Sequence, residues 1–254
     1  MPLDLSRRQF GQQALGALLT YSLLETLFAG DALAALQGEA KLAAASWLKD
    51  LNELSQDMKG KQLKQTDWQT KVDELLAQVD LAETLKFIDF DKLTANLKLR
   101  DQGELSLRAK LPAVEGLPTD LVFGHQVFAL AKDRSVVPHG HNNMATAFLI
   151  LQGTFRGRHY DRLEDQPEHY IIRPTIDRTF SVGEHSTVSD HKDNIHWFTA
   201  TSERAFIFNI HVQNVDPANK KNGRIYLDPN GEKLADGRIR ARRVSSGEVY
   251  KLYG

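Results

Sequence analysis

Two hydrophobic patterns divide the chain. From Ala40 to Met58 apolar residues recur at Leu42, Ala45, Leu48, Leu51 and Leu54. That spacing follows a 3.6-residue period and predicts a helix ending at Lys59-Gly60-Lys61. Thr66 or Asp67 is placed to cap a second helix with Trp68, Val72, Leu75, Leu76 and Val79 on its inner face. Asp80 is placed to cap a short helix from Leu81 to Phe87, and Phe90, Leu93 and Leu97 anchor a further turn or two. Trp47 and Trp68 read as core residues of this helical region, residues 37–100, which carries no evident chemistry.

From Glu104 the period shortens to two. Leu105, Leu107, Ala109 and Leu111 alternate with polar residues. Strands are predicted over 121–132, 145–152, 155–161, 170–174, 179–182, 194–199 and 205–212, with Gly153, Gly183 and Asp190 between them. Ile225 to Leu227, Val244, and Val249 to Tyr253 are expected to add edge strands. No regular helices intervene, which disfavours a βαβ fold. The expectation is a mainly β jelly roll or closed barrel over residues 101–254, preceded by the α-helical region.

Composition narrows the function. The 254 residues suffice for one large or two small domains. A net charge of -1 argues against nucleic acid as a partner. Cysteine is absent, so no disulfide, thiolate ligand or thiolate nucleophile is available. No apolar run predicts a stable membrane span. All nine histidines lie between His125 and His211, which marks the second half as the candidate metal region.

At the N-terminus, Ser6-Arg7-Arg8-Gln9-Phe10 precedes a modestly apolar stretch, and Ala32-Leu33-Ala34 has small-x-small spacing. Residues 1–36 thus resemble a twin-arginine-type signal, a route that carries folded proteins. The resemblance implies export to the periplasm. If the segment is instead an amphipathic first helix, the protein stays cytoplasmic.

The chemistry centres on Val137 to Gly153, VPHGHNNMATAFLILQG. His139 and His141 are two apart, so on an extended strand both imidazoles project to one face and can share one metal ion. Pro138-His139-Gly140-His141 with the closing Gly153 resembles the first motif of the cupin superfamily. The motif's leading glycine falls on Asp133, and its glutamate falls on Thr146, which cannot replace a carboxylate ligand. The resemblance implies a cupin-type double-stranded β-helix. Without the glutamate, it points to the three-histidine thiol dioxygenases, the cysteine and cysteamine dioxygenase-like group. Asn194-Ile195-His196, followed by the apolar run from Ala205 to His211, is similar to the second motif. His196 is therefore the expected third ligand, with His191 as runner-up.

That resemblance implies an Fe(II) oxidoreductase that uses O2 to convert a small thiol to a sulfinate. Mn, Ni and Zn remain open, because imidazole suits all of them. The group uses an arginine for the substrate carboxylate and a tyrosine near the oxygen. Arg156, Arg158 and Tyr160 share a face of one predicted strand and are the candidates, with Arg173 as another. The alternatives are a metal-dependent cupin enzyme with a different small-molecule substrate, or an exported, non-catalytic metal- or ligand-binding cupin. Among the other histidines, His125 and His211 read as packing residues or neighbours of the ligands, with His211 a further alternative to His196 as ligand. His159, His169 and His185 read as surface or loop residues. Arg238, Arg240, Arg242 and Arg243 read as a solvated or salt-bridged strand face.

Overall fold

The computed structural model describes residues 45–254; the expected signal, residues 1–36, lies outside the described residues. The first described helix, α1, covers residues 45–59. It is followed by α2 (Gln65–Leu76), α3 (Leu81–Phe87) and α4 (Phe90–Thr94). Asp80 caps α3 by accepting from the Glu83 backbone N–H at 3.1 Å. Neither Thr66 nor Asp67 caps α2: both lie inside the helix, which starts at Gln65, and its N-cap, Lys64, offers no side-chain bond.

Eleven strands follow. β1 (Leu105–Leu107), β2 (Gly124–Ala131), β9 (Arg204–Gln213), β4 (Met144–Gln152) and β7 (His185–Val188) form one antiparallel sheet in the order β1-β2-β9-β4-β7. β3 (Ser135–Asn142), β8 (Ile195–Ala200), β5 (Phe155–Asp165), β6 (His169–Phe180), β11 (Ile239–Arg243) and β10 (Gly223–Lys233) close into a six-stranded antiparallel barrel. The fold is mainly β, a cupin-type jelly roll preceded by helices.

Period-two alternation separates three cores. One face of the five-stranded sheet (Val127, Ala147, Leu149, Phe206 and Phe208) packs under Leu48, Leu51, Trp68 and Val72 of the helices. Its other face meets the barrel strands around Phe128, Phe148, Phe155, Phe180 and Phe198. A third cluster, Tyr160, Tyr170, Ile172, Ile195, Leu227, Ile239 and Ala241, joins the barrel strands on their opposite side. Each large apolar side chain buried this way contributes about 1.5–3 kcal/mol. Trp47 and Trp68 are both core residues, as expected.

Several elements differ from the sequence reading: β7 and β11 are additional strands, Val244 lies outside any strand, and Ile225 to Leu227, expected at an edge, sits in β10 of the closed barrel. The strand expected through Leu111 ends at Leu107. The segments 170–174 and 179–182 belong to one long strand, β6, which ends at Phe180. The C-terminal edge strand is instead a helix, α5 (Ser246–Tyr253), capped by Ser245 accepting from the Glu248 backbone N–H. Among the described residues no helix is long and apolar enough to cross a membrane.

Candidate metal centre

β3 presents His139 and His141 to the space between the two sheets, and β8 presents His196 beside them. His139 and His196 stand directly opposite each other in the β3–β8 pairing. One ring nitrogen from each of His139, His141 and His196 lies within 4.8 Å of the others, and all three side chains are buried. The centroid separations are 4.2 Å for His139–His196, 4.9 Å for His139–His141 and 5.0 Å for His141–His196.

Gly140, between the first two histidines, faces the other way. A Cβ there would sit 2.5 Å from Asn194 Oδ1 and 3.1 Å from both Ile195 and Ile225. Asp133, at the place of the motif's glycine, takes the left-handed conformation with φ 63°, which Asp tolerates better than most residues. Gly153 is left-handed as well, and a Cβ there would lie 2.5 Å from the Arg204 carbonyl oxygen.

Backbone carbonyls orient the rings. His139 Nδ1 donates to Val137 O at 2.7 Å, and His196 Nδ1 donates to Asn194 O at 3.2 Å. With Nδ1 protonated, each Nε2 keeps its lone pair for an ion. His196 Nε2 is buried and has no partner among the described residues. Thr146 Oγ1 lies 3.3 Å from His141 Nδ1, so the residue at the lost glutamate position holds a ring. Asn194 fixes the approach of β8 by donating to both His141 O and Ser189 O at 3.0 Å.

Burial, repulsion from neighbouring imidazoles and the Arg224 guanidinium push His139 well below its usual range. Burial, His141 and His159 do the same to His196. Burial and Arg224 bring His141 down to about 3. All three rings are therefore neutral near pH 7, the form that binds a metal without displacing a proton. An orphaned, buried nitrogen among three neutral imidazoles fits a divalent ion, and imidazole donors alone do not select iron over other metals.

The cluster lines a cavity of ≈ 80 Å³ with Phe128, Met144, Phe148, Asn209, His211 and Arg224. Arg224 and Tyr226 on β10 pair with His141 and His139 respectively. The Tyr226 ring lies 6.3 Å from that of His139. Arg224 Nη1 sits 3.8 Å from Glu104 Oε1, and the Tyr250 hydroxyl donates to the same oxygen at 2.8 Å.

Arg156, Arg158 and Tyr160 do not reach the cluster. His159 points into the barrel, so its neighbours point away. Arg156 Nε pairs with Asp177 at 2.6 Å, and Arg158 lies 4.2 Å over the Trp197 ring. Tyr160 packs in the third core. Arg173 is exposed. His191 is also exposed, away from the cluster that holds His196. His159, expected on the surface, is fully buried with neither ring nitrogen partnered, stacked on Phe180 at 6.1 Å. The residues missed from sequence are Arg224 and Tyr226. Their alternation with Ile225 and Leu227 placed them on one face, but nothing local showed which strand they would join.

No family model matches the sequence, and no curated protein matches it. Among solved structures the chain is similar to procruciferin, an 11S globulin from Brassica napus, with 13% identity over 42% of this chain and a TM-score of 0.33. It is also similar to a cupin superfamily protein from Desulfitobacterium hafniense, with 19% identity over 48% of this chain and 87% of that one, at a TM-score of 0.31. A conserved protein with a double-stranded β-helix domain from Klebsiella pneumoniae shows 10% identity over 52% of this chain and 85% of that one, at a TM-score of 0.33. The chain spans 23% of the procruciferin chain and 20% of a second 11S globulin, from Wrightia tinctoria. The barrel and its histidines together describe a cupin-type fold with a three-histidine cluster able to hold a divalent metal.

Proposed function

We propose that the protein is a metal-dependent cupin enzyme acting on a small anionic molecule. His139, His141 and His196 hold the ion, and Arg224 binds the substrate's acidic group. The observation that carries this reading is the convergence of three buried, neutral imidazoles on one point, with an arginine on the adjoining strand. Among such reactions, Fe(II)-dependent oxidation of a small thiol by O2 to a sulfinate is the first to test. The Thr146 position supports it, because the ligand set then carries no protein charge and a substrate thiolate supplies the missing anion. A bound ion would supply open coordination positions and Lewis-acid or one-electron chemistry.

The chain's own groups do the remaining work. Val137 O and Asn194 O fix the tautomers of His139 and His196. Phe128, Met144 and Phe148 restrict water around the rings. Arg224, steadied by Glu104, sets the orientation of an acidic substrate, and Tyr226 brings a hydroxyl-bearing ring to the same side. We also propose export through the N-terminal twin-arginine-type segment, with the helical region and the cupin barrel as the mature protein.

Metal analysis together with oxygen uptake on cysteine, cysteamine and 3-mercaptopropionate tests the function. Stoichiometric iron with thiol-dependent uptake is expected. Bound metal without uptake on any of the three thiols leaves the broader metal-cupin reading and removes the thiol assignment. Export is tested by fractionating cells that carry the native chain and an Arg7→Lys/Arg8→Lys variant; equal distribution of the two removes that proposal.

A further inference from the structure

β7 is the last strand of its sheet, so one of its edges carries no partner strand. A cleft of ≈ 460 Å³ is lined by residues of β7, α2, β6 and the turn at Lys192-Asp193. Small-molecule sites occupy about 300–1,000 Å³. Within β7, Ser186 pairs with Phe148, on the sheet face turned to the barrel, and His185 pairs with Leu149, on the face under the helices. The cleft therefore reaches both sides of β7.

Three polar atoms of its lining residues are buried and lack a hydrogen-bond partner among the described residues: Asp193 Oδ1, Ser186 Oγ and His185 Nδ1. Asp193 is 5% exposed and Ser186 6%. Thr175 approaches the Asp193 carboxylate, yet Oδ1 stays unpaired. His185 Nε2 lies 3.4 Å from Asp73 Oδ1. That carboxylate draws the ring proton to Nε2 and leaves Nδ1 as an acceptor. A carboxylate oxygen and an imidazole lone pair only accept, and a hydroxyl does either, so this set calls for N–H donors. Acceptors left buried and unpaired cost stability, which a donor ligand restores.

The charges agree. Arg178 lines the cleft but is held by Glu184 at 2.5 Å and lies over the Phe180 ring. Lys192, which is exposed, stands against three carboxylates in the lining, those of Asp193, Asp73 and Glu74. Two negative charges are left over. We propose that the cleft binds a short organic diamine as its dication, with one ammonium on Asp193 and Ser186 at the barrel side of β7 and the other on Asp73 and Glu74 at the helix side. This site is separate from the histidine cluster and independent of the metal reading.

The test is calorimetric titration of the full chain, in physiological salt, with diaminobutane, aminobutane and butanediol. Diaminobutane is expected to bind, aminobutane to bind at least about tenfold more weakly for want of the second charged contact, and butanediol not to bind. Equal affinity for diaminobutane and aminobutane, or none for either, overturns the proposal. Asp193→Asn keeps a residue type that tolerates the left-handed φ of 54° and the backbone N–H that donates to Asp161 Oδ1. It is expected to lose at least about tenfold in diaminobutane affinity. Lys192→Ala removes the opposing charge from an exposed position and is expected to tighten binding by up to about fivefold. Unchanged affinity in both variants overturns the proposal, and if Asp193→Asn fails to fold, Lys192→Ala decides alone.

Discussion

His159 is a buried imidazole without a hydrogen-bond partner. Burial, and then the Arg178 guanidinium, bring its pKa down to about 3. Between that value and the ordinary 6.5, the unfolded chain takes up a proton that the folded chain refuses. Stability therefore falls as pH drops through this window, by about 1.4 kcal/mol per pH unit for this one group. In metal-free protein His139, His141 and His196 act in the same direction. His159→Phe is expected to flatten the acid limb of stability against pH; denaturant unfolding at pH 4, 5, 6 and 7 that gave parallel curves would refute this. Gly140→Ala forces a methyl against Asn194 Oδ1 and two isoleucines, an overpacking that costs about 1–3 kcal/mol. An unchanged unfolding midpoint would show that strands β3, β8 and β10 give way there. Legibility at this scale followed locality. His139 and His141 were readable because a two-residue period fixes a shared face. Arg156 and Arg158 share one face, as their spacing indicates, but nothing local tells that His159, the next residue along, owns the inner one. Arg224 reaches the cluster only through a strand pairing distant in sequence.

Helix α2 positions the third histidine as well as covering the sheet. Gln65 bonds both the Asp190 carboxylate and its backbone N–H at 2.9 Å. Gln69, which is buried, donates to Thr187 O at 3.0 Å and accepts from Ser189 Oγ. The segment held this way runs into Asn194, whose carbonyl orients His196. Gln69→Leu strips partners from the Ser189 hydroxyl and the Thr187 carbonyl, at about 1–3 kcal/mol for each group left buried and unpaired. It is also expected to speed metal loss to a chelator. Lower stability with an unchanged chelation rate would confine α2 to a packing role. The apolar spacing of α2 was legible, whereas its polar grip on the loop was not, since glutamines on a helix carry no signal of their partner. The C-terminal helix α5 illustrates the opposite failure. Ser245 and Glu248 have the spacing of a capping pair, yet the apolar content of Val249 to Tyr253 favours a strand in the sequence.

Across the whole molecule, one apolar core runs from Ala45 to Val215 and takes in both the helices and the outer face of the five-stranded sheet. The helical cover and the barrel are therefore expected to unfold in one calorimetric transition; two separable transitions would mean that the cover folds by itself. The other connection across the chain runs through Glu104. Its carboxylate is nearly buried, accepts from the Tyr250 hydroxyl of α5 and faces Arg224 across 3.8 Å. Burial, and then the Glu104 charge, raise the Tyr250 pKa, so the hydroxyl stays a donor across the working pH range. Tyr250→Phe removes one bond to a charged acceptor, worth about 1.5–3 kcal/mol, and frees Glu104 to pull on Arg224. A misplaced guanidinium weakens recognition of an acidic substrate and leaves the three imidazoles where they are. The expected result is a raised KM, or a weaker Kd for an acidic ligand, with normal metal content and a smaller change in kcat. Loss of metal in Tyr250→Phe would mean that α5 supports the whole barrel mouth. An unchanged KM in a folded, metal-replete variant would remove Glu104 from the positioning of Arg224.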